Sequence, residues 1–357
     1  MEPSVRQHLA QSLTAVENRS GDWRGVLAES YGGAHELTII GVTGPPGSGK
    51  STLIDALAAH WAEQGLTVGV LAIDPSSPFS GGAILGDRLR MRRSEDLGNV
   101  FIRSMSARGH GGGLNAAALD LCTVMAAHGC SHVLLEAVGS GQSEVDIGFV
   151  ADCTLVVAVP GLGDSVQAAK AGLMEIGDLY IVNKSDLPQA RSVQQDLAAM
   201  LAVSFHGKPG CNDPLRAKNA PARPVGAMPR SLSERHGDPD AGAPYWHPPV
   251  LAAAIERPDL IAGITQSIAN FQQWLDISRH RHKRRTQAFA SHVLAIAKDR
   301  LFSDWTRDLE QKLGQRLEDW AAGAQLAGGT MDPYQIADRL MAGAEAKELS
   351  GKHGSSL

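Results

Sequence analysis

The run of residues 44–52 has the residue types and spacing that bind phosphate. It contains a glycine, four further residues and then Gly-Lys-Ser, which is a phosphate-loop pattern. In such a loop the backbone N–H groups surround the phosphates, and the N-terminus of the following helix adds positive potential. We expect Lys50 to reach the β- and γ-phosphates and the Ser51 hydroxyl to ligate Mg²⁺. The predicted nucleotide contacts in this run are Gly44, Pro45, Pro46, Gly47, Ser48, Gly49, Lys50, Ser51 and Thr52.

A second motif, Asn183-Lys184-Ser185-Asp186, has the residue types that recognise guanine. It directly follows the apolar run Leu179–Val182, which predicts a position at the end of a strand. The Asp186 carboxylate can accept hydrogen bonds from both the N1–H and the exocyclic amine of guanine, whereas adenine offers no such pair of donors. Asn183 and the Lys184 stem would hold the loop and cover the base. The two motifs together predict that the nucleotide is GTP.

Three carboxylates at predicted strand or helix ends could hold Mg²⁺ or take part in hydrolysis. Asp74 ends the second strand, and Asp87 opens the helix after the loop 75–86. Carboxylates there can bind Mg²⁺ directly or through water, although both could instead cap a turn or a helix. Glu136 follows the strand His132–Leu135 and is expected to contact Mg²⁺-bound or attacking water. The predicted catalytic residues are Lys50, Asp87 and Glu136, and the predicted metal ligands are Ser51, Asp74, Asp87 and Glu136.

Gly139 lies where a nucleotide switch senses the γ-phosphate. Its backbone N–H can bind that phosphate, and the segment after it can move when the phosphate leaves. Small GTPases have Asp at the preceding strand end and Gln directly after this glycine, whereas this chain has Glu136 and Ser140. Because no Gln positions the attacking water here, we expect intrinsic hydrolysis to be slow and to be accelerated by a partner.

Apolar runs alternate with helical patterns around these motifs. The strand-like runs are Leu37–Val42, Val68–Ile73, Val100–Ile102, His132–Leu135, Leu155–Val159, Leu179–Val182 and Val250–Ala254. The helical patterns between them are Ser51–Gln64, Leu85–Arg92, Leu114–His128, Val166–Met174 and Val193–Leu201. Continuous apolar strands separated by helices are typical of an α/β fold with a mostly parallel sheet, covered by helices on both faces.

Three regions are predicted along the chain. Residues 1–34 form an N-terminal helical segment, residues 35–258 form the nucleotide-binding domain, and residues 259–357 form a helical arm. Within the domain, residues 204–249 are rich in Pro, Gly, Arg and Asp, which predicts a mobile surface insertion. The basic run His280–Arg285 is interpreted as a solvated helix face or a patch for an acidic partner.

The composition argues against several classes of protein. The chain has 357 residues, 43% of them hydrophobic, and a formal net charge of −5. Such a chain can bury a large core, and its charge indicates neither a nucleic-acid nor a membrane partner. No apolar run of membrane length and no targeting segment is recognised, which predicts a cytoplasmic location. Three of the four cysteines lie in apolar runs and are interpreted as reduced core thiols.

Taken together, these motifs resemble those of one family. The resemblance is carried by residues 41–52, 72–78, 86–88 with 90–91, 108–109 with 112–114, 138–139 with 141–144, 160–161, 163–164 and 183–184. On these residues the chain resembles the GTPase chaperones of adenosylcobalamin-dependent acyl-CoA mutases, typified by the methylmalonyl-CoA-mutase-associated GTPase. The similarity spans about residues 36–187, with weaker similarity in the helical ends.

The resemblance implies a function and further site residues. It implies GTP hydrolysis with Mg²⁺, gating of cofactor loading into the mutase and protection of the mutase from inactivation. It also implies a mobile third switch around residues 160–170, with Asp164 and Lys170 as its polar members, and a homodimer formed through the helical extensions. The family's short link is replaced here by residues 204–249, and its Gly-rich base-contacting turn by residues 252–258. Both departures fit a specialised mutase partner.

Two other functions are compatible with a phosphate loop of this kind. One is a metallochaperone GTPase that delivers nickel or zinc, which would need a Cys/His cluster beside the switches. The sequence contains no Cys-x-Cys or Cys-x-x-Cys. The other is a kinase of a small substrate, for which no separate substrate-binding motif is recognised.

Overall fold

The structure is a computed structural model of the chain. It describes residues 1–33, 36–74, 92–95, 97–106, 113–137, 147–161, 173–206, 235–237, 244–254 and 256–313. The predicted site residues Asp87, Gly139, Asp164 and Lys170 lie outside these ranges. Most of the predicted helices Leu85–Arg92 and Val166–Met174 also lies outside them.

Helices and strands alternate along the described chain, as the apolar pattern predicts. The helices are α1 (Pro3–Asn18), α2 (Trp23–Gly33), α3 (Lys50–Glu63), α4 (Arg92–Glu95), α5 (Gly113–Ala127), α6 (Leu173–Ile176), α7 (Ala190–His206), α8 (Pro258–Ile277) and α9 (His280–Leu313). The strands are β1 (Thr38–Thr43), β2 (Val68–Asp74), β3 (Val100–Ser106), β4 (His132–Ala137), β5 (Cys153–Ala158), β6 (Leu179–Val182) and β7 (Val250–Ala252). Helix α7 extends beyond its predicted range at both ends.

The strands form one seven-stranded sheet in the order β3-β2-β4-β1-β5-β6-β7, with every pair parallel. Parallel neighbours need crossover connections, which place helices on both faces of the sheet. The predicted α/β fold is therefore confirmed. Because all strands run in the same direction, the segments that follow β1, β2, β4 and β6 leave the sheet at one edge.

Apolar side chains on the two faces of the sheet form separate core layers. One layer holds α3 and α8 against the sheet and includes Leu57 and Phe271. The other includes Leu13 of α1 and Leu121 of α5. Fully burying a side chain of this size contributes about 1.5–3 kcal/mol. The predicted core thiols Cys122, Cys130 and Cys153 are buried and unpaired by disulfides.

Helix α8 belongs to this core. Its buried stripe is Ile261, Ile264, Ile268, Phe271, Trp274 and Leu275, and these side chains lie in the same cluster as those of α3. The chain divides into two compact units, residues 1–295 and 296–357. The sequence instead placed the start of a helical arm at residue 259. A dimerisation role for the C-terminal residues stays a prediction.

A buried carboxylate just before β6 binds residues from distant parts of the chain. The Asp178 side chain accepts hydrogen bonds from the Thr154 N–H at 2.8 Å and from the His236 ring at 2.7 Å. The guanidiniums of Arg235 and Arg284 pair with it at 2.8 and 3.0 Å. Burial alone would raise the pKa of Asp178, but the two arginines and His236 hold that pKa well below its ordinary value. The carboxylate is therefore ionised in the folded protein.

This cluster changes the interpretation of the segment 204–249. Arg235 and His236 are buried, and the indole Nε1 of Trp246 donates to the Asp178 carbonyl at 2.8 Å. The first residues of the segment, 204–206, continue α7. The prediction of a surface insertion is therefore wrong for these parts. Hydrophobic periodicity could not reveal them, because burial here depends on charge pairing with a distant carboxylate.

The interpretation of the basic run His280–Arg285 as a solvated face is also wrong for Arg284, whereas Arg285 is exposed as that interpretation expects. Arg284 is nearly buried and pairs with Asp178, as described above. Arg285 donates to both carboxylate oxygens of Asp152, each at 2.9 Å. Asp152 in turn accepts the Ile39 N–H at 3.0 Å, which joins α9 to the start of β1. These arginines hold the first turns of α9 against the sheet.

We expect stability to fall as pH decreases from about 6.5 to about 4, partly because of His236. Burial lowers the pKa of His236 from 6.5 to about 4, although Asp178 opposes this shift. The folded state therefore binds this proton less readily than the unfolded state does, so the contribution is complete above pH 6.5 and is lost towards pH 4. Urea titrations across this pH range should show that the free energy of unfolding declines less in His236→Gln than in the wild type. An unchanged pH profile in this variant would contradict the assignment and would point to another group, such as the half-buried His132, whose pKa is also lowered by burial.

Candidate nucleotide-binding site

The phosphate loop connects the central strand β1 to α3, and two of its glycines cannot be replaced without strain. Gly44 has φ +143°, and a Cβ there would lie 2.2 Å from the carbonyl oxygen of Val157 on the neighbouring β5. Gly49 has φ +85°, a left-handed conformation, directly before the first residue of α3. The glycine spacing in the sequence therefore reflects close backbone approach at Gly44 and a required turn at Gly49.

Asn183 joins the two predicted motifs directly. Its Nδ2 donates to the Ser48 carbonyl at 2.9 Å, and the same Nδ2 lies 2.3 Å from the position that a Gly49 Cβ would occupy. Asn183 is buried, and its backbone N–H donates to the Ala158 carbonyl at 2.8 Å. The sequence predicts that Asn183 holds its own loop, and the structure shows that it also holds the phosphate loop.

The turn after β6 presents the predicted base-recognising residues. Lys184 has φ +54°, and its N–H donates to the Asn183 Oδ1 at 2.9 Å. The Ser185 N–H donates to the carbonyl of Ala253, the residue after β7, at 3.0 Å. Lys184 and Asp186 are both exposed. This turn is therefore anchored on both sides while its predicted guanine-binding carboxylate stays accessible.

Lys50 is held over the phosphate loop by the loop's own carbonyls. Its ammonium donates to the Gly44 carbonyl at 2.7 Å and to the Pro45 carbonyl at 3.2 Å. Only 8% of the residue is exposed. These contacts keep a positive charge at the mouth of the loop, where the backbone dipoles of the α3 N-terminus have the same sign.

Ser51 and Glu136 form an oxygen pair beside the loop. The Ser51 hydroxyl donates to Glu136 Oε1 at 2.6 Å, although the residues are 85 positions apart. The pair forms because β4 is the neighbour of β1, with Glu136 in register with Val42. Glu136 is 2% exposed. A hydroxyl and a carboxylate at one point are the oxygen ligands that Mg²⁺ prefers.

The residues present fit a phosphate group and a divalent cation. The buried hydroxyls of Thr43 and Ser48 lack a hydrogen-bond partner among the described residues. No side chain caps the N-terminus of α3 within that part of the chain, so its first N–H groups are available to an anion. Asp74 ends β2, which pairs with β4, so its backbone lies at the same edge as Glu136. Pro46, Gly47 and Thr52 lie in the same loop and first helical turn.

Asp55 is a buried residue of this region that the sequence analysis did not identify. Its carboxylate accepts hydrogen bonds from the backbone N–H groups of Arg93 and Ser94, at 3.1 and 2.8 Å, and from the Ser94 hydroxyl at 2.6 Å. It lies one helical turn after Ser51 on α3 and fixes the start of α4. The only available signal was a carboxylate inside the apolar helical run 53–58.

The described residues lack two structural features. They contain no group of three or more His, Cys, Asp or Glu side chains arranged to hold a metal ion. None of the helices that the structure describes is long and apolar enough to cross a membrane.

The chain is similar to a family of GTPases along most of its length. A model of the family described as Methylmalonyl Co-A mutase-associated GTPase MeaB matches residues 9–309. A putative GTPase of Pyrococcus abyssi is 50% identical over 186 residues, which are 52% of this chain and 57% of that protein. The match thus spans little more than half of the archaeal relative's length.

Two further similarities extend over most of the chain. A putative GTPase of Caulobacter vibrioides is 32% identical over 300 residues, which are 83% of this chain and 82% of that protein. The crystal structure of a LAO/AO transport system kinase has a TM-score of 0.62 at 22% identity, covers 94% of this chain and 92% of its own, and supports the fold. From the extent of the family match, the chain belongs to the methylmalonyl-CoA mutase-associated GTPase MeaB family.

Proposed function

We propose that this protein is a Mg²⁺-dependent GTPase that acts as a chaperone of an adenosylcobalamin-dependent acyl-CoA mutase. In this role it gates cofactor loading and protects or reactivates the mutase. The observation that supports nucleotide hydrolysis most directly is the meeting of the phosphate loop, Asn183 and Glu136 at one edge of the sheet. The description of the family supports a mutase as the partner, and a relative that matches 83% of the chain is named a putative GTPase.

The predicted residues of the site have roles in this proposal, including Asp87 and Gly139, which lie outside the described residues. Lys50 binds the β- and γ-phosphates, and the backbone N–H groups of the loop bind the remaining phosphate oxygens. Ser51 and Glu136 hold Mg²⁺, with Asp74 and Asp87 as further proposed ligands. The cation, when bound, neutralises negative charge on the β- and γ-phosphate oxygens. Glu136 also orients water, and the Gly139 N–H binds the γ-phosphate.

We expect Asp186→Asn to weaken GTP binding by about 1–3 kcal/mol, because guanine N1–H loses its acceptor. The same change should favour xanthine nucleotides, since an Asn side chain offers a donor to the xanthine carbonyl. Calorimetry with GTP, ATP and XTP measures both effects. Asp196→Asn is the matched control, because Asp196 is exposed on α7, outside the predicted motif. Equal affinity of the wild type for ATP and GTP would exclude guanine recognition.

The proposed partner should accelerate GTP hydrolysis. GTPase rate and nucleotide affinity would be measured with and without a B12-dependent acyl-CoA mutase from the same organism, for the wild type, Asp164→Ala and Lys170→Ala. If GTP changes the affinity of the protein for the mutase by some factor, linkage requires that the mutase changes the affinity of the protein for GTP by the same factor. We expect faster hydrolysis in the wild type and reduced acceleration in both variants, which lie in the proposed third switch.

Two outcomes would contradict the partner proposal in different ways. Unchanged acceleration in both variants would remove residues 160–170 from the mechanism while leaving the chaperone role intact. No effect of the mutase on the wild type would remove the chaperone role. Tight nickel or zinc binding in equilibrium dialysis, combined with that absence of effect, would favour the metallochaperone alternative.

A homodimer formed through the C-terminal helical residues is part of the same proposal. Leu301 and Phe302 on α9 are 72% and 62% exposed, respectively. Large apolar side chains exposed side by side favour burial against another surface. These two residues support an interface in the C-terminal unit of the chain.

A further inference from the structure

A cavity of about 290 Å³ lies beside the amino-terminal ends of β1 and β5. The phosphate loop follows the other end of β1, so this cavity is at the opposite edge of the sheet from the nucleotide site. We call it the distal pocket. Its described lining comes from α2, Leu37 and Ile39 at the start of β1, α5, the segment 148–152, Arg235 and the first turns of α9. All of these residues belong to the first compact unit.

The floor of the distal pocket is buried and mostly apolar. Ile39, Ala126 and Ala151 line it and are 6%, 1% and 4% exposed. At the mouth, Tyr31 and Phe289 meet edge to face, with ring centroids 6.4 Å apart. The pocket is therefore a recess whose volume of about 290 Å³ is close to the lower end of the range for small-molecule sites.

Positive charge exceeds negative charge around this recess. Arg235 and Arg284 both line it and share the buried carboxylate of Asp178, while Asp152 at the lining is a second buried carboxylate. Burial lowers the pKa of His236, so its ring is neutral near neutral pH and does not change this charge balance. The two arginines are thus matched by two buried carboxylates, and the excess of positive charge comes from the more exposed cations at the lining.

Two further cations lie at the same recess. Arg285 is paired with Asp152, but its side chain is 48% exposed. Lys283 is exposed at the lining, and its ammonium forms no ion pair with a carboxylate of the described residues. An anion entering the pocket would therefore meet Lys283 directly, while its apolar part would contact the floor.

We propose that the distal pocket binds a small amphipathic anion, an apolar chain that ends in a single carboxylate or phosphate. The charge excess selects the anionic group, and the apolar floor selects the chain. The proposal does not depend on GTP hydrolysis, because every residue that carries it lies outside the nucleotide site.

Calorimetry on the full chain tests the proposal with octanoate and octyl phosphate as probes. We expect at least one of them to bind at least tenfold more tightly than acetate, which lacks the chain, and octanol, which lacks the charge. The preferred probe distinguishes a carboxylate from a phosphate source. Ala288→Trp, which fills the pocket from α9, should abolish binding, and Lys283→Gln should weaken it about fivefold or more, a loss of roughly 1 kcal/mol.

Lys298→Gln is the matched control, because it removes the same charge from α9 outside the pocket lining. GTP affinity should be unchanged in all three variants, which reports that they are folded. The proposal is wrong if neither probe binds at millimolar concentration, or if Lys283→Gln and Lys298→Gln bind equally well. It is also wrong if the wild type self-associates and Ala288→Trp does not, because a second copy of the chain then occupies the pocket.

Discussion

Lys50→Ala should abolish tight triphosphate binding, with a loss of about 100-fold or more in affinity. The ammonium is held at the mouth of the phosphate loop by the Gly44 and Pro45 carbonyls. A hydrogen bond between a charged donor and a phosphate is worth about 1.5–3 kcal/mol, and Lys50 is predicted to reach two phosphates. The loss should therefore be about 3 kcal/mol or more.

Glu136→Ala is the informative comparison for Lys50→Ala. Glu136 contacts the Ser51 hydroxyl and is proposed to orient water and the cation, so its removal should spare nucleotide binding and lower the hydrolysis rate. Glu63→Ala removes an exposed carboxylate from the last residue of α3 and should change neither quantity. Binding by titration calorimetry and single-turnover hydrolysis separate the two effects. Wild-type affinity in Lys50→Ala would refute the phosphate-loop interpretation.

Asp178→Asn should lower the free energy of unfolding by about 3–5 kcal/mol, the usual effect of removing one partner of a buried ion pair. The substitution keeps the volume of the side chain, so a cavity is not the cause. It leaves Arg235 and Arg284 without their shared carboxylate in the core. It also replaces one of the two carboxylate oxygens with an amide nitrogen, and these oxygens accept from the Thr154 N–H (Oδ2) and from the His236 ring (Oδ1).

Urea denaturation at neutral pH measures this effect. Asp259→Asn is the control, because Asp259 forms an ion pair with Arg257 in which both side chains are largely exposed. Exposed pairs of this kind contribute little, so we expect no measurable change in the control. A similarly small change in Asp178→Asn would show that the buried cluster does not anchor Arg235 and α9 to the sheet.

The sequence determined the class of fold and the position of the main motifs. Continuous apolar runs such as Leu179–Val182 are buried strands of a parallel sheet, and α3 begins within one residue of its prediction. These features follow from local patterns, since periodicity and turn residues depend on neighbours in the chain. The Gly-Lys-Ser pattern likewise places a charged side chain at a helix N-terminus without any knowledge of distant residues.

Only the tertiary structure decided which distant residues meet. The strand order places β4 beside β1, and this neighbour relation brings Glu136 to Ser51 and leaves a carboxylate at the predicted metal site. Asn183 reaches the phosphate loop because β6 is next to β5, which lies beside β1. No local pattern encodes such contacts.

The buried charged residues are the clearest case in which a local pattern in the sequence could not predict the structure. Arg235, His236 and Arg284 lie in stretches whose composition indicates a solvated surface, yet the structure buries the first two, and nearly buries Arg284, around Asp178. Composition predicts exposure because an isolated charge is costly to bury. That cost is offset here by a carboxylate 57 positions from Arg235 and 106 positions from Arg284. Burial of a charged residue is therefore decided by its partner in space, which only the folded chain brings to it.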